Sequence, residues 1–448
     1  MTQGRPARLM MSVALPLMLG NIFQQLYTVV DAHIVGSVIG VGALAAVGAS
    51  DWFNFLFMGL LQGFAMGFTI PMAQAFGAND HAKLRRYAGN AVILSVITSA
   101  VFTTVALLIL QPALTFMNTP EAIRPLSTTY LTILFSGLPI VMGYNLLAAA
   151  LRALGDGKSP LYAMVVAALM NIGMDYLFVA GLGWGVGGAA LATVLAQLSS
   201  MLFCLYRLSK ISFIRPARQD LKPDLPVCRQ LFFVGLPVAF QNAVIGFGGL
   251  ILQSVVNPLG VIFLAGYTAT NKLYGLLEVA ATSYGFAVST YTGQNLGAKK
   301  YDRIRKGVHT ALLIGILTAM LIAGIMLLFG RSIIGSFISG TPEEVEAALK
   351  IGWEFLQLMS FCLPILYILY IYRSAQMGMG HTVLPLCSGF AELVMRIGSA
   401  LLLPAIIGYY GLFWAEVLAW AGAVCVLIPG YYWALRKHRR EDNKVITL

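Results

Sequence analysis

The sequence predicts an all-α integral membrane protein of twelve transmembrane helices, in two six-helix lobes related by a pseudo-two-fold axis along the membrane normal. Three observations predict this class. The composition cannot be solvated by water, twelve apolar runs have spanning length, and the second half of the chain repeats the first.

Of 448 residues, 58% are hydrophobic and only 10% are charged, with a mean hydropathy of +0.80. A soluble domain covers its surface with roughly 25% charged residues. This chain cannot, so lipid is the solvent for most of it. The first apolar run is too long for the core of a signal peptide and lacks a convincing small-residue cleavage site, so it reads as the first span. Cys204, Cys228, Cys362, Cys387 and Cys425 are scattered singly with no CxxC. Neither a disulfide framework nor a zinc site is indicated.

A membrane helix needs about 20 mostly apolar residues. Such runs fall at 9–36, 43–76, 87–111, 125–150, 161–182, 185–206, 230–257, 261–295, 307–330, 347–372, 384–407 and 411–435. Several exceed the minimum, which implies tilt or protrusion. With the N-terminus in the cytoplasm, only Arg124, Arg331 and Lys350 of the 29 Lys and Arg fall in outside loops. Lys272 and Arg396 fall within spans, and the rest, Arg218 and Arg373 among them, lie in inside segments. This bias places both termini in the cytoplasm and supports an even span count. The formal net charge of +11 is then a topology signal facing anionic lipid, and no nucleic-acid partner is expected.

The repeat is visible segment by segment. LPLMLGNIFQQ (15–25) matches LPVAFQNAVIG (236–246), and PMAQAFGANDHAKLRR (71–86) matches YTGQNLGAKKYDRIRK (291–306). FSGLPI (135–140) matches SFCLPI (360–365), and RALGDGKSP (152–160) matches MGMGHTVLP (377–385). These divide the chain into a first lobe at 1–206, a cytoplasmic linker at 207–229, and a second lobe at 230–448 that ends in a short basic tail. Six spans per half insert both halves the same way up. Parallel repeats around a midplane cavity are a transporter arrangement.

Seven acids fall in or near the spans: Asp31, Asp51, Asp175, Glu278, Glu354, Glu392 and Glu416. A charge inside the bilayer costs at least about 2.5–3.5 kcal/mol, so such residues are rarely accidental. Asp51, Glu354 and Lys272 lie near span ends, where contact with water is the simpler reading. Glu392 and Arg396 are four apart on one helix and can pair internally. Glu278 and Glu416 can line a cavity or satisfy local backbone.

Asp31 and Asp175 differ. Asn171 and Asp175 share one helix face. Counting from the outer span ends at about 1.5 Å per residue puts Asp31 about 8 Å deep, Asp175 about 10 Å, Thr193 about 14 Å and Asn171 about 16 Å. Three helices thus bring two carboxylates, an amide and a hydroxyl to comparable depth in the first lobe. Hard oxygens suit Na⁺, and two neighbouring carboxylates in a dry site also suit a carried proton. The second half has Ile251 and Leu252 where Asp31 would be, and Gly398 where Asp175 would be. His33 reads as structural.

With these residues in view, the chain resembles the multidrug and toxic compound extrusion (MATE) transporters, in the prokaryotic branch that includes DinF-like members. The resemblance rests on FQQLYTVVDAHIVG (23–36), ALAAVG (43–48), QAFGAND (74–80), LRALGDGKSP (151–160), NIGMDYLFVAGLGWGVGGAALAT (171–193) and QNLGAKK (294–300). It implies a first-lobe cation site, for H⁺ or Na⁺, at Asp31, Asn171, Asp175 and Thr193, with Ala189 as a backbone contributor. Pro16 matches a helix-1 proline that lets the helix bend as the site loads. Tyr27 and Asn145 match cavity-lining positions, and Glu278 is a further cavity candidate. Members of the NorM-like branch carry an acid on span 7; span 7 here has none.

The expected function is a secondary antiporter. It exports organic, cationic and amphipathic compounds as H⁺ or Na⁺ enters, by alternating access of two lobes. It is expected to act as a monomer in the plasma membrane of a prokaryote, with no cofactor beyond the coupling ion. The alternative is a lipid or lipid-linked saccharide flippase of the same superfamily, disfavoured because the spans hold acids and no Arg cluster. An enzyme is not expected: no HExxH or GxSxG occurs, and His33, His81, His309, His381 and His438 are dispersed.

Overall fold

The computed structural model describes residues 1–446 apart from 118, 216, 218, 219, 339 and 340. Arg218, with Pro216 and Gln219 of the expected linker and the last two residues of the tail, therefore lies outside the described residues. Among the described residues all regular structure is helical.

The helices are α1 (Pro6–Ile34), α2 (Val41–Gly77), α3 (His81–Phe116), α4 (Arg124–Ser136), α5 (Leu138–Ala153), α6 (Lys158–Asp175) and α7 (Gly185–Ser209). Then follow α8 (Leu225–Val256), α9 (Val261–Gly297), α10 (Tyr301–Gly335), α11 (Pro342–Gly378), α12 (Val383–Leu402), the short α13 (Pro404–Ile407) and α14 (Tyr410–Ile446). Among the described residues ten helices are long and apolar enough to cross a membrane, or eleven if α4 and α5 form one span. Those two are bent by 46° at Gly137, where Pro139 opens the next helix and cannot extend the ladder. The remaining long helix is α9, of 37 residues. Its length suffices, but it carries Thr270, Asn271, Lys272 and Glu278, and it buries Thr270, Ser283, Thr292, Gln294 and Asn295 within its unit. That polarity hides it from a hydropathy criterion. α2, α9 and α11, each of 37 residues, would reach about 55 Å, well beyond the roughly 30 Å hydrocarbon core, a length met by tilting, bending or projecting beyond it.

α8 starts at Leu225, ahead of the span expected from 230. Asp224 supplies the reason: its Oδ1 accepts the Val227 amide at 3.4 Å, and Pro226 sits in the first turn, where a missing N–H costs nothing.

The chain divides into two compact units. One comprises Leu15–Phe240. Its apolar core runs through Phe53, Phe57, Phe64, Phe68 and Phe135, with Phe53 and Phe57 each 5.2 Å from Phe135. The first half of α8 belongs here. A Cβ at Gly63 would lie 2.7 Å from the Ala239 nitrogen, and one at Gly67 would strike the backbone of Gly235. The Gly63/Gly67 pair on α2 therefore lets two helix backbones touch, the small-residue packing usual in membranes. Asp224 adds a polar tie, donating its amide to Asn90 Oδ1 on α3 at 2.9 Å and pairing with Arg86.

The other unit comprises Met1–Ala14 with Gln241–Leu448. α11 packs against α9, α10 and α14, and α12 against α14. Its N-terminal segment is held by Arg303, which donates to the Gly4 carbonyl at 3.0 Å, and by Lys300, which donates to the Thr2 carbonyl at 3.0 Å. α1 thus changes unit between Ala14 and Leu15, next to the internal Pro16; α8 does so between Phe240 and Gln241, close to the internal Pro237. The matching turns of the repeat share a backbone peculiarity: Asn79 and Lys299 have φ of 58° and 57°, a left-handed conformation uncommon for residues with a Cβ.

Candidate functional site

The first-unit polar site is built where two helices lose their regularity. α1 runs into a π-helical turn at Val35–Ile39 and α6 into one at Tyr176–Gly181, and these two turns pack on each other. Such turns are rare and concentrate at functional sites. Asp31 lies one helical turn before the first, and Asp175 immediately before the second. Lower down, Gly20 of α1 sits against Leu161 and Met164 of α6, a second point at which the two helices approach.

The result is that the Asp31 and Asp175 carboxyls come within hydrogen-bonding reach of each other. Asp175 is fully buried and Asn171, one turn earlier, is 1% exposed. Asp31 Oδ1 and both carboxylate oxygens of Asp175 are buried with no other described residue bringing a donor, and both amide atoms of Asn171 are buried without a partner among the described residues. The charges acting on the pair are each other's and that of Asp51; no described Lys or Arg contributes. Two full charges about 4 Å apart repel by about 4 kcal/mol at an effective dielectric of 20. A proton or a cation between them removes that penalty and supplies the missing partner of each oxygen.

Thr193 on α7 is half-buried and donates to the Ala189 carbonyl at 3.1 Å. Both predicted positions therefore already bond each other, with lone pairs left on each oxygen to accept a further cation. Tyr27 has Gln24 and Gln197 as hydroxyl neighbours and lies in the field of Asp31 and Asp175. Asn145 spends its amide N–H on the Val141 carbonyl of its own helix, 3.0 Å away. Pro16 lies in α1 beside the change of unit. His33 is exposed.

Sequence reasoning missed two residues of this site, Tyr130 and Gln197, and the influence of a third residue outside it, Asp51. Tyr130 on α4, 7% exposed, lies in the field of Asp31, Asp51, Asp175 and Tyr27 at once. Gln197 on α7 presents a buried Oε1 without a partner. Asp51, expected to be an interfacial residue, acts on Asp31 through space. For Tyr130 and Gln197 the chain holds no local signal, since buried tyrosines and glutamines occur throughout these helices. Even so, no three His, Cys, Asp or Glu side chains among the described residues gather tightly enough to hold a metal ion.

Glu278 belongs to the other unit, where it accepts a hydrogen bond from Tyr370. Nearby charges form a ladder across three helices. Arg373 pairs with Glu392 and lies 3.3 Å from Ser388. Arg396 lies 3.8 Å from Glu392 and 2.8 Å from Glu416. Arg373, expected in an inside segment, is 5% exposed near the C-terminal end of α11; its Glu392 partner stabilises it there. The helical Glu392–Arg396 pair is the longer of the two contacts of each residue. Glu354 accepts from the Tyr409 hydroxyl at 2.9 Å, and the Lys272 ammonium lies 5.8 Å from the Phe337 ring centre.

The chain is 29% identical to the probable multidrug resistance protein YpnP of Bacillus subtilis, over 83% of this chain and 82% of that protein. It is 25% identical to the probable multidrug resistance protein NorM of Thermotoga maritima, over 86% and 82% of the two chains. In fold it matches the crystal structure of MATE in complex with MaL6 with a TM-score of 0.91 at 22% identity, covering 98% of each chain. That likeness establishes the fold, an all-α membrane protein of twelve helices in two lobes. The MatE family profile matches residues 16–177 and 237–402, and the chain belongs to that family of multidrug efflux transporters.

Proposed function

We propose that this protein is a secondary antiporter that exports organic compounds, cationic and amphipathic in character, as H⁺ or Na⁺ enters at Asp31 and Asp175. The observation that carries the reading is the buried carboxylate pair with no cationic partner beside an unpartnered Asn171. A site that charged and that poor in donors is best satisfied by an ion it can take up and release. The carboxylates supply charge, Asn171 Oδ1 and Thr193 Oγ1 supply neutral oxygens, and the Ala189 carbonyl completes a hard-oxygen set.

Coupling follows from the same electrostatics. Empty, the pair repels and favours a conformation in which the carboxylates separate or meet water. Loaded, it favours the conformation that draws α1 onto α6. Pro16 removes one intrahelical hydrogen bond from α1, so a bend there transmits occupancy along the helix. Tyr27 and Gln197 border the site and would feel that movement, and Glu278 is retained as a cavity residue of the second lobe. If the transported compound and the ion prefer opposite conformations, each drives the other's release, which is alternating access by linkage. The names of YpnP and NorM as multidrug resistance proteins support an organic, chemically varied cargo. We read the transport unit as a single chain in a prokaryotic plasma membrane, with both termini cytoplasmic. The test is uptake of a fluorescent cationic dye into everted vesicles, with ΔpH and ΔpNa imposed separately. Export driven by one gradient supports the reading; dye movement indifferent to both refutes it.

A further inference from the structure

A third carboxylate stands beside the proposed coupling site, and it is placed differently from the other two. Asp51 is on α2, and the packing of α2 against α4 fixes its level. The Ser127 hydroxyl of α4 donates to the Ala46 carbonyl of α2 at 3.0 Å, and Phe53 meets Phe135 5.2 Å away. Asp51 falls between the two contacts on α2, and Tyr130 falls between them on α4. Tyr130 in turn lies in the field of Asp31, Asp51 and Asp175 together. The fields of the three acids therefore converge on one buried residue, Tyr130.

Their exposure is graded. Asp51 is exposed, Asp31 half-buried and Asp175 fully buried. Asp51 acts on Asp31 through space, yet the three do not gather into a tight metal-binding cluster. It is thus near enough to influence the pair and too far to belong to its inner ligand set. The independent sign that an ion is taken up here is the inner end, where the Asn171 amide and the Asp175 oxygens are buried and no other described residue satisfies them. A negative charge at the open end of such a path raises the local cation concentration and speeds capture.

Resting on the antiport reading above, we propose that Asp51 is the access carboxylate of the coupling site: it draws a monovalent cation, H⁺ or Na⁺, in from the water side and positions it for Asp31. It is a positioning residue and does not hold the ion in the loaded state. Its loss should therefore change how much cation is needed, and leave the turnover at saturation intact.

The test is gradient-driven dye transport in proteoliposomes, titrated in driving cation, with a ΔpH arm and a ΔpNa arm run separately to identify the ion. Asp51→Asn is expected to raise the half-saturating cation concentration roughly three- to tenfold, as removal of one nearby charge through a polar region should. Its saturated rate should match the parent, and Asp51→Glu should restore parental affinity. Raised salt should weaken the parent towards the variant, because the effect is screened. If Asp31→Asn abolishes coupling while Asp51→Asn shows an unshifted titration, the access role is wrong and the coupling site stands. If Asp51→Asn lowers only the saturated rate, the role is likewise wrong. If Asp31→Asn and Asp175→Asn both transport like the parent, the coupling reading itself fails.

Discussion

Asp31 on α1 and Asp175 on α6 hold their carboxyls within hydrogen-bonding reach, and no described side chain brings a donor to Asp31 Oδ1 or to either oxygen of Asp175. Such a pair has two comfortable states, one sharing a proton and one sharing a metal cation. Either would serve the proposed antiport as the coupling ion.

Asn171 is buried to 1% exposure with neither amide atom bonded. An uncompensated buried amide costs about 1–3 kcal/mol, a cost that a coupling ion bound at the proposed site would offset. Asn171→Ala is expected to weaken the apparent affinity for the driving cation by about tenfold and to leave the fold intact. Cation titrations of transport together with thermal unfolding of the detergent-solubilised protein check both parts.

Pro16 lies beside the point where α1 changes unit. Pro16→Ala restores an N–H that can reach the Ser12 carbonyl, removing the intrinsic cause of a bend. The variant should fold and bind cargo at parental affinity while its turnover falls. Equilibrium dye binding and transport rate, measured on one preparation, separate these quantities.

The α2–α8 contact depends on Gly67 meeting Gly235 backbone to backbone. Gly67→Leu has no room and forces the helices apart, at about 1–3 kcal/mol for overpacking. A lower unfolding temperature and a lower folded yield are expected, whatever the cation present.

The ladder of Arg373, Glu392, Arg396 and Glu416 makes a different prediction. Arg373→Leu leaves Glu392 with the more distant Arg396 and should destabilise by about 3–5 kcal/mol, whereas Arg373→Leu with Glu392→Leu should recover much of the loss. Thermal unfolding of the single and double variants distinguishes a pairwise effect from general damage.

Most of the helical plan was legible in the sequence because lipid imposes a simple rule: long apolar runs, with basic residues between them on one side. The rule fails where a helix carries polar residues into the interior of its own unit, as α9 does with Thr270, Ser283 and Asn295. It also could not show that Arg373 is buried, since charge counting cannot see Glu392 waiting on another helix. Depth counting brought Asp31, Asn171, Asp175 and Thr193 to similar levels from span ends alone. What it could not supply was azimuth, the direction in which each residue faces around its helix axis. Tyr130 and Gln197, and the influence of Asp51 on Asp31, became visible only when the packing of α2, α4 and α7 was known, and the π-helical turns after Asp31 and Asp175 have no sequence signature strong enough to predict.

The most direct measurement of the central claim is cargo transport in proteoliposomes under defined ΔpH and ΔpNa, comparing the parent with Asp31→Asn and Asp175→Asn. If the pair is the coupling site, the parent responds to one of the two gradients, and both variants lose that response while still inserting and binding cargo. Unchanged gradient-driven transport in both variants would contradict it.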